Sequence, residues 1–124
     1  MAKNEIHVTY TISDEDLEDI LITALEGGIG YWACLDNTGH DWEKQPKETP
    51  TSVWAWKILN DGGTLRFLDE EDDSAEYTLD MASFFSGIGL SISKGVWSGD
   101  MDGMDAVRAD CIIQFAVFGD VIYG

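Results

Sequence analysis

Positive charge is scarce in this chain. Seven Lys plus Arg stand against 24 Asp plus Glu, a formal net charge of −17 at pH 7 on 124 residues. Such a surface is repelled by nucleic acid and by anionic lipid, so neither is expected as a direct partner. Cysteine is also sparse. Cys34 and Cys111 are far apart, lack CxxC spacing and lie in apolar stretches, so both are expected to be buried free thiols in a reducing compartment. Residues 1–7 hold no apolar signal core. No apolar run approaches the ~20 residues that cross a bilayer. The expected location is the cytosol. Only two histidines, His7 and His40, are present, and neither has a nucleophile motif around it. With no catalytic constellation, an enzyme is not expected, and no cofactor is implied.

Apolar side chains, by contrast, are plentiful: 44% of residues are hydrophobic and 11% aromatic. A disordered acidic tail lacks these, so a folded body with a negative surface is expected. At this length one domain, residues 1–124, can bury a core without disulfides or a structural metal.

Residues 5–11 alternate β-formers (Ile6, Val8, Tyr10) and read as a strand. Ser13 followed by three acids starts a helix over 14–26: the hydroxyl caps the first turn and negative charge suits the dipole there. Leu17, Ile20, Leu21, Ala24 and Leu25 keep one helical stripe, and Gly27-Gly28 reads as a left-handed cap. Residues 31–35 read as a buried strand and 36–50 as a long loop. Ser52–Leu59 reads as a strand with Trp54 and Trp56 on one face, returning through the turn at 60–63 into a strand over 64–68. The acidic run 69–73 then falls at the far end of that hairpin, and 77–79 resume a strand. Residues 80–93 keep helical spacing despite Gly87 and Gly89. Residues 95–103 form a loop, 104–118 an almost wholly apolar helix closed by Gly119, and 121–123 a short edge strand. A helix apolar on most sides is buried either centrally or between copies of the chain, so 104–118 is a candidate homo-oligomer surface. The order β-α-β-β-β-α-α-β implies an α+β domain, an antiparallel sheet packed by about three helices.

Few chemical motifs emerge. Residues 98–109 resemble a calcium loop with Ser98, Asp100 and Asp102 at ligand positions, but Ala109 stands where the bidentate glutamate belongs. No metal site is therefore expected. The glycines at 27–30 follow a helix rather than opening one, the wrong context for phosphate. Arg108 either pairs with Asp105 or orients a ligand. Trp42 and Trp97, both in loops, are the tryptophans best placed for a partner contact.

The remaining constellation is acidic. Glu15, Glu18, Asp19 and Glu26 share the face opposite the stripe of the first helix. Asp69, Glu70, Glu71, Asp72 and Asp73 form a run, and Asp100, Asp102, Asp105 and Asp110 a looser group. Such carboxylates can imitate rows of phosphates for a protein that grips nucleic acid. A solvated acidic surface is the plainer alternative.

Residues 11–34, including ALEGGIGYW, and residues 110–124, including CIIQFAVFG, resemble a group of small acidic proteins from prophages and mobile elements, whose roles are largely unassigned. The resemblance implies a phage context and carries over no catalytic residue. By class analogy it implies counter-defence of the anti-CRISPR or antirestriction kind. The expected partner is a basic, nucleic-acid-binding effector of the host. An oligomeric sponge for a nucleotide signal and a structural accessory protein are the alternatives.

Overall fold

A computed structural model describes residues 4–72 and 74–124. Four helices pack against a three-stranded antiparallel sheet. Helix α1 is Asp14–Thr23, strand β1 Ala33–Leu35, helix α2 Thr51–Asn60, strand β2 Leu65–Asp69, strand β3 Glu76–Leu79, helix α3 Met81–Ser93 and helix α4 Ala106–Phe118. The expected α+β class holds, but the element order is α-β-α-β-β-α-α.

The Ser13 hydroxyl accepts from the Asp16 amide at 3.1 Å, and Asp14, Glu15 and Asp16 occupy the first turn. Leu17, Ile20, Leu21 and Ala24 form the buried stripe. The helix ends in a π-helical turn, Ala24–Gly28, rather than a left-handed cap: neither Gly27 nor Gly28 has positive φ. A Cβ on Gly28 would lie 2.9 Å from the Ala106 carbonyl, so this glycine serves close approach to α4.

Residues 51–60 are helical, not a strand. Ser52, Ala55, Trp56 and Leu59 are buried at i, i+3, i+4 and i+7, a stripe that the β-forming character of Val53, Trp54 and Trp56 masks. The two tryptophans consequently diverge. Trp56 enters the core, whereas Trp54 stays half-buried and donates its indole N–H to the Asp41 carbonyl at 2.8 Å. The glycines that suggest a hairpin turn instead stop α2. The amide of Gly62, with φ 94°, donates to Leu59, and that of Gly63 donates to Ile58.

The sheet order is β1-β2-β3, with Leu35 opposite Phe67 and Phe67 opposite Tyr77. Ala33, Leu65, Phe67 and Leu79 point into the core, and Cys34, Arg66 and Thr78 point out. Alternation therefore exposes Cys34, and Cys111 is only partly covered; both are free thiols but neither is fully buried. The acidic run does join two strands, β2 and β3.

Helix α4 is central. Asp105 caps it by accepting from the Arg108 amide at 2.8 Å, and Gly119 closes it at φ 76°. It packs mainly on α3, where a Cβ on Gly87 would meet the Ile112 carbonyl at 2.5 Å and the Ala116 methyl at 2.7 Å. Its apolar body faces α3, α1 and β3 inside one chain, and Val107 is its one strongly exposed large hydrophobic residue. Residues 5–11 and 121–123 form no strand among the described residues.

Candidate functional site

The first acidic face lies on α1. Glu15 and Asp19 are exposed and Glu18 partly so. The helix contains no basic residue. Every ion pair among the described residues lies elsewhere: Arg66 with Asp36 and Glu76, Arg108 with Asp105 at 3.1 Å, Lys57 with Asp61 at 3.2 Å, and the two histidines with neighbouring glutamates. Asp14, Glu15, Glu18 and Asp19 thus crowd four carboxylates into roughly 9 Å of helix axis, about one per 2 Å. Duplex DNA carries about one charge per 1.7 Å, so the linear densities are comparable. Asp16 turns from that row toward the N-terminal segment.

Glu26 stands apart. Its carboxylate accepts the Ser52 hydroxyl in the first turn of α2. Pro50 supplies that helix no side-chain cap, so Glu26 brings negative charge to its N-terminus from another element.

The second face is the β2–β3 connection, and it is held from within. Asp69 accepts the amides of Glu71 and Asp72 at 2.8 and 3.0 Å through one oxygen. Its other oxygen accepts the hydroxyls of Tyr77 and Tyr123 at 2.8 and 3.0 Å. Asp72 accepts from the amide and hydroxyl of Ser74. The bonds that Asp69 itself accepts, with that of Tyr77 foremost, hold its carboxyl below its usual range. Glu70 and Glu71 remain exposed, presented by a turn that Asp69 organises. Asp73 lies outside the described residues.

The other expected contacts are dispersed. Asp100 caps its own turn, a 3₁₀ segment over Met101–Gly103, by accepting the Asp102 amide at 3.0 Å. The calcium-like spacing is a capping pattern here, and no group of three or more His, Cys, Asp or Glu among the described residues is arranged to hold a metal. Trp97 is buried, its indole N–H donating to the Asp100 carbonyl at 2.9 Å. Trp42 is half-buried against the core. Neither ring is freely displayed. Asp110, grouped with the surface acids by sequence, is buried at 6% exposure.

Around Asp110 lies a polar network that sequence reading misses. Its carboxylate accepts from the Trp32 indole at 2.7 Å, the Tyr31 hydroxyl at 2.6 Å and the Gln114 amide at 2.9 Å. Burial and the Asp110 carboxylate push the Tyr31 phenol up to about 12. The Gln114 oxygen accepts the amides of Ile122 and Tyr123, both at 2.8 Å. Tyr123 then stacks on Trp32, 5.2 Å between ring centres, and reaches Asp69. One chain of contacts therefore runs from buried Asp110 through the C-terminal segment to the acidic turn. No protein-family model matches this chain, and neither a curated protein nor a solved structure does so.

Proposed function

We propose that this protein is a non-enzymatic inhibitor from a phage or mobile element. It binds a basic, nucleic-acid-binding defence effector of the host cytosol and occupies the groove meant for nucleic acid. The row of carboxylates on α1, in no ion pair among the described residues and with a charge density close to that of a duplex, carries this reading. Glu70 and Glu71, on a turn braced by Asp69, form a second contact. A preorganised turn loses less entropy on docking than a mobile one. A nucleotide sponge has less support, because of the four basic residues it would draw on, Arg66, Arg108, Lys57 and Lys94, the first three are each held by a carboxylate of the same chain.

The test is capture of effectors from host lysate on the immobilised protein, with a salt gradient for release. A basic nucleic-acid-binding protein displaced both by salt and by competing DNA is the expected result. The triple variant Glu15→Lys, Glu18→Lys, Asp19→Lys retains its fold, since these side chains lie outside the core, and loses the partner. Full binding by that variant would refute the role of α1.

A further inference from the structure

Charge is distributed unevenly in a way that singles out one face. All thirteen residues of α3 are uncharged, in a chain where a quarter of residues are charged. Beside α3 runs the N-terminal segment, and between them lies a groove of about 500 Å³. Ile6, Val8, Tyr10 and Ile12 all line it, which is the period-two spacing of an extended chain. Phe85, Ile88 and Ile92 of α3 form the opposite wall, and Asp16 is the one carboxylate at the rim.

The segment is unfinished in two respects. Among the described residues, no main-chain hydrogen bond joins residues 5–12 to the rest of the chain. Its apolar side chains are also largely open to water: Ile6 is 90% exposed, Val8 66% and Tyr10 51%, with Phe85 at 47% across the groove. An alternating apolar segment with free amides and carbonyls is a template for another strand.

We propose that a second copy of this chain covers this face, in a two-fold dimer in which residues 5–11 of the two copies pair and close the groove over α3. Charge selects this occupant. Two bodies of −17 repel each other at their acidic surfaces, and α3 with residues 5–12 brings to this face no carboxylate but Glu5, 3.4 Å from His7, with Asp16 at the rim. A two-fold interface needs a self-complementary patch, and residues 5–11 hold a single carboxylate, Glu5, which antiparallel pairing about Val8 sets opposite Thr11 of the other copy rather than opposite its own counterpart. The dimer leaves Glu70 and Glu71 of both copies outside the interface.

Sedimentation equilibrium at roughly 100 μM protein tests this, in about 0.1 M and then about 0.5 M salt. The expected mass is twice the 13.7 kDa of the chain. Screening weakens the repulsion between copies, so self-association tightens several-fold with salt, opposite to the salt response of effector binding. The variant Ile6→Ser, Val8→Ser alters two exposed side chains without changing charge, and it sediments as a folded monomer. A wild-type monomer at both salt concentrations, a dimer that loosens as salt rises, or a dimer untouched by the double substitution would each overturn the proposal.

Discussion

Gly87 and Gly89 lie two residues apart in α3, and the same substitution is expected to have opposite effects at the two positions. Alanine in a helix interior gains about 1 kcal/mol over glycine, because glycine loses more backbone freedom on folding. At Gly89 nothing lies within 4 Å of an added Cβ, so that gain survives. At Gly87 the same carbon meets the Ile112 carbonyl at 2.5 Å, the Ala116 methyl at 2.7 Å and the Ala116 amide at 2.8 Å. Two of these atoms are backbone and cannot rotate away. The helices must separate by several tenths of an ångström, and a gap of that size forfeits a quarter or more of each dispersion contact along the seam. Overpacking costs about 1–3 kcal/mol and here falls at the upper end, so the net loss is about 2 kcal/mol after the propensity gain. For a chain of this size about 4 °C corresponds to 1 kcal/mol, which places Gly87→Ala about 8 °C below wild type and Gly89→Ala about 4 °C above it. Thermal unfolding followed by tryptophan fluorescence at low micromolar protein measures both. Equal midpoints for the two variants would refute the close α3–α4 packing.

Three further outcomes follow from the polar contacts. Asp110→Ala leaves the indole of Trp32 and the amide of Gln114 without their buried acceptor and lowers stability by about 2–4 kcal/mol in urea unfolding, whereas Asp110→Asn, which keeps one acceptor, costs less. Asp69 has its pKa depressed in the folded protein, so its contribution is fully present above the ordinary carboxylate pKa and fades as pH falls through the lower, folded value. The stability gap between wild type and Asp69→Asn therefore narrows below about pH 4; a gap that widens on acidification would contradict this. Cys34 is exposed, while burial and the neighbouring Asp110 push the Cys111 thiol up, so alkylation at pH 8 followed by mass spectrometry modifies Cys34 first.

Local signals in the sequence carried three of the four helices. Ser13, Asp80 and Asp105 each precede a helical stripe and each accepts a backbone amide in the first turn, so capping and periodicity agree there. Helix α2 carries strand-like signals because tryptophan and valine suit strands, and because a glycine pair ends helices as readily as it turns hairpins. Residues 5–11 have strand chemistry without a strand partner among the described residues. The acids on α1 were legible as a face, since helical spacing alone sets it. The Asp69 brace and the Asp110 network were not, because Tyr31, Asp69, Asp110 and Tyr123 are brought together only by tertiary topology. The one available hint was polarity out of place: Asp110 and Gln114 interrupt an otherwise apolar helix, a pattern that signals buried hydrogen bonding.

Gln114 has a consequence for how motion in the interior is observed. The amides of Ile122 and Tyr123 belong to no helix or strand, yet both are held by one buried carboxamide. In hydrogen–deuterium exchange they are protected only while that side chain keeps its rotamer, and the rotamer is fixed by Asp110 and Tyr31. Their common exchange rate therefore times the opening of the buried network from outside it, at two positions in a segment with no regular structure of its own.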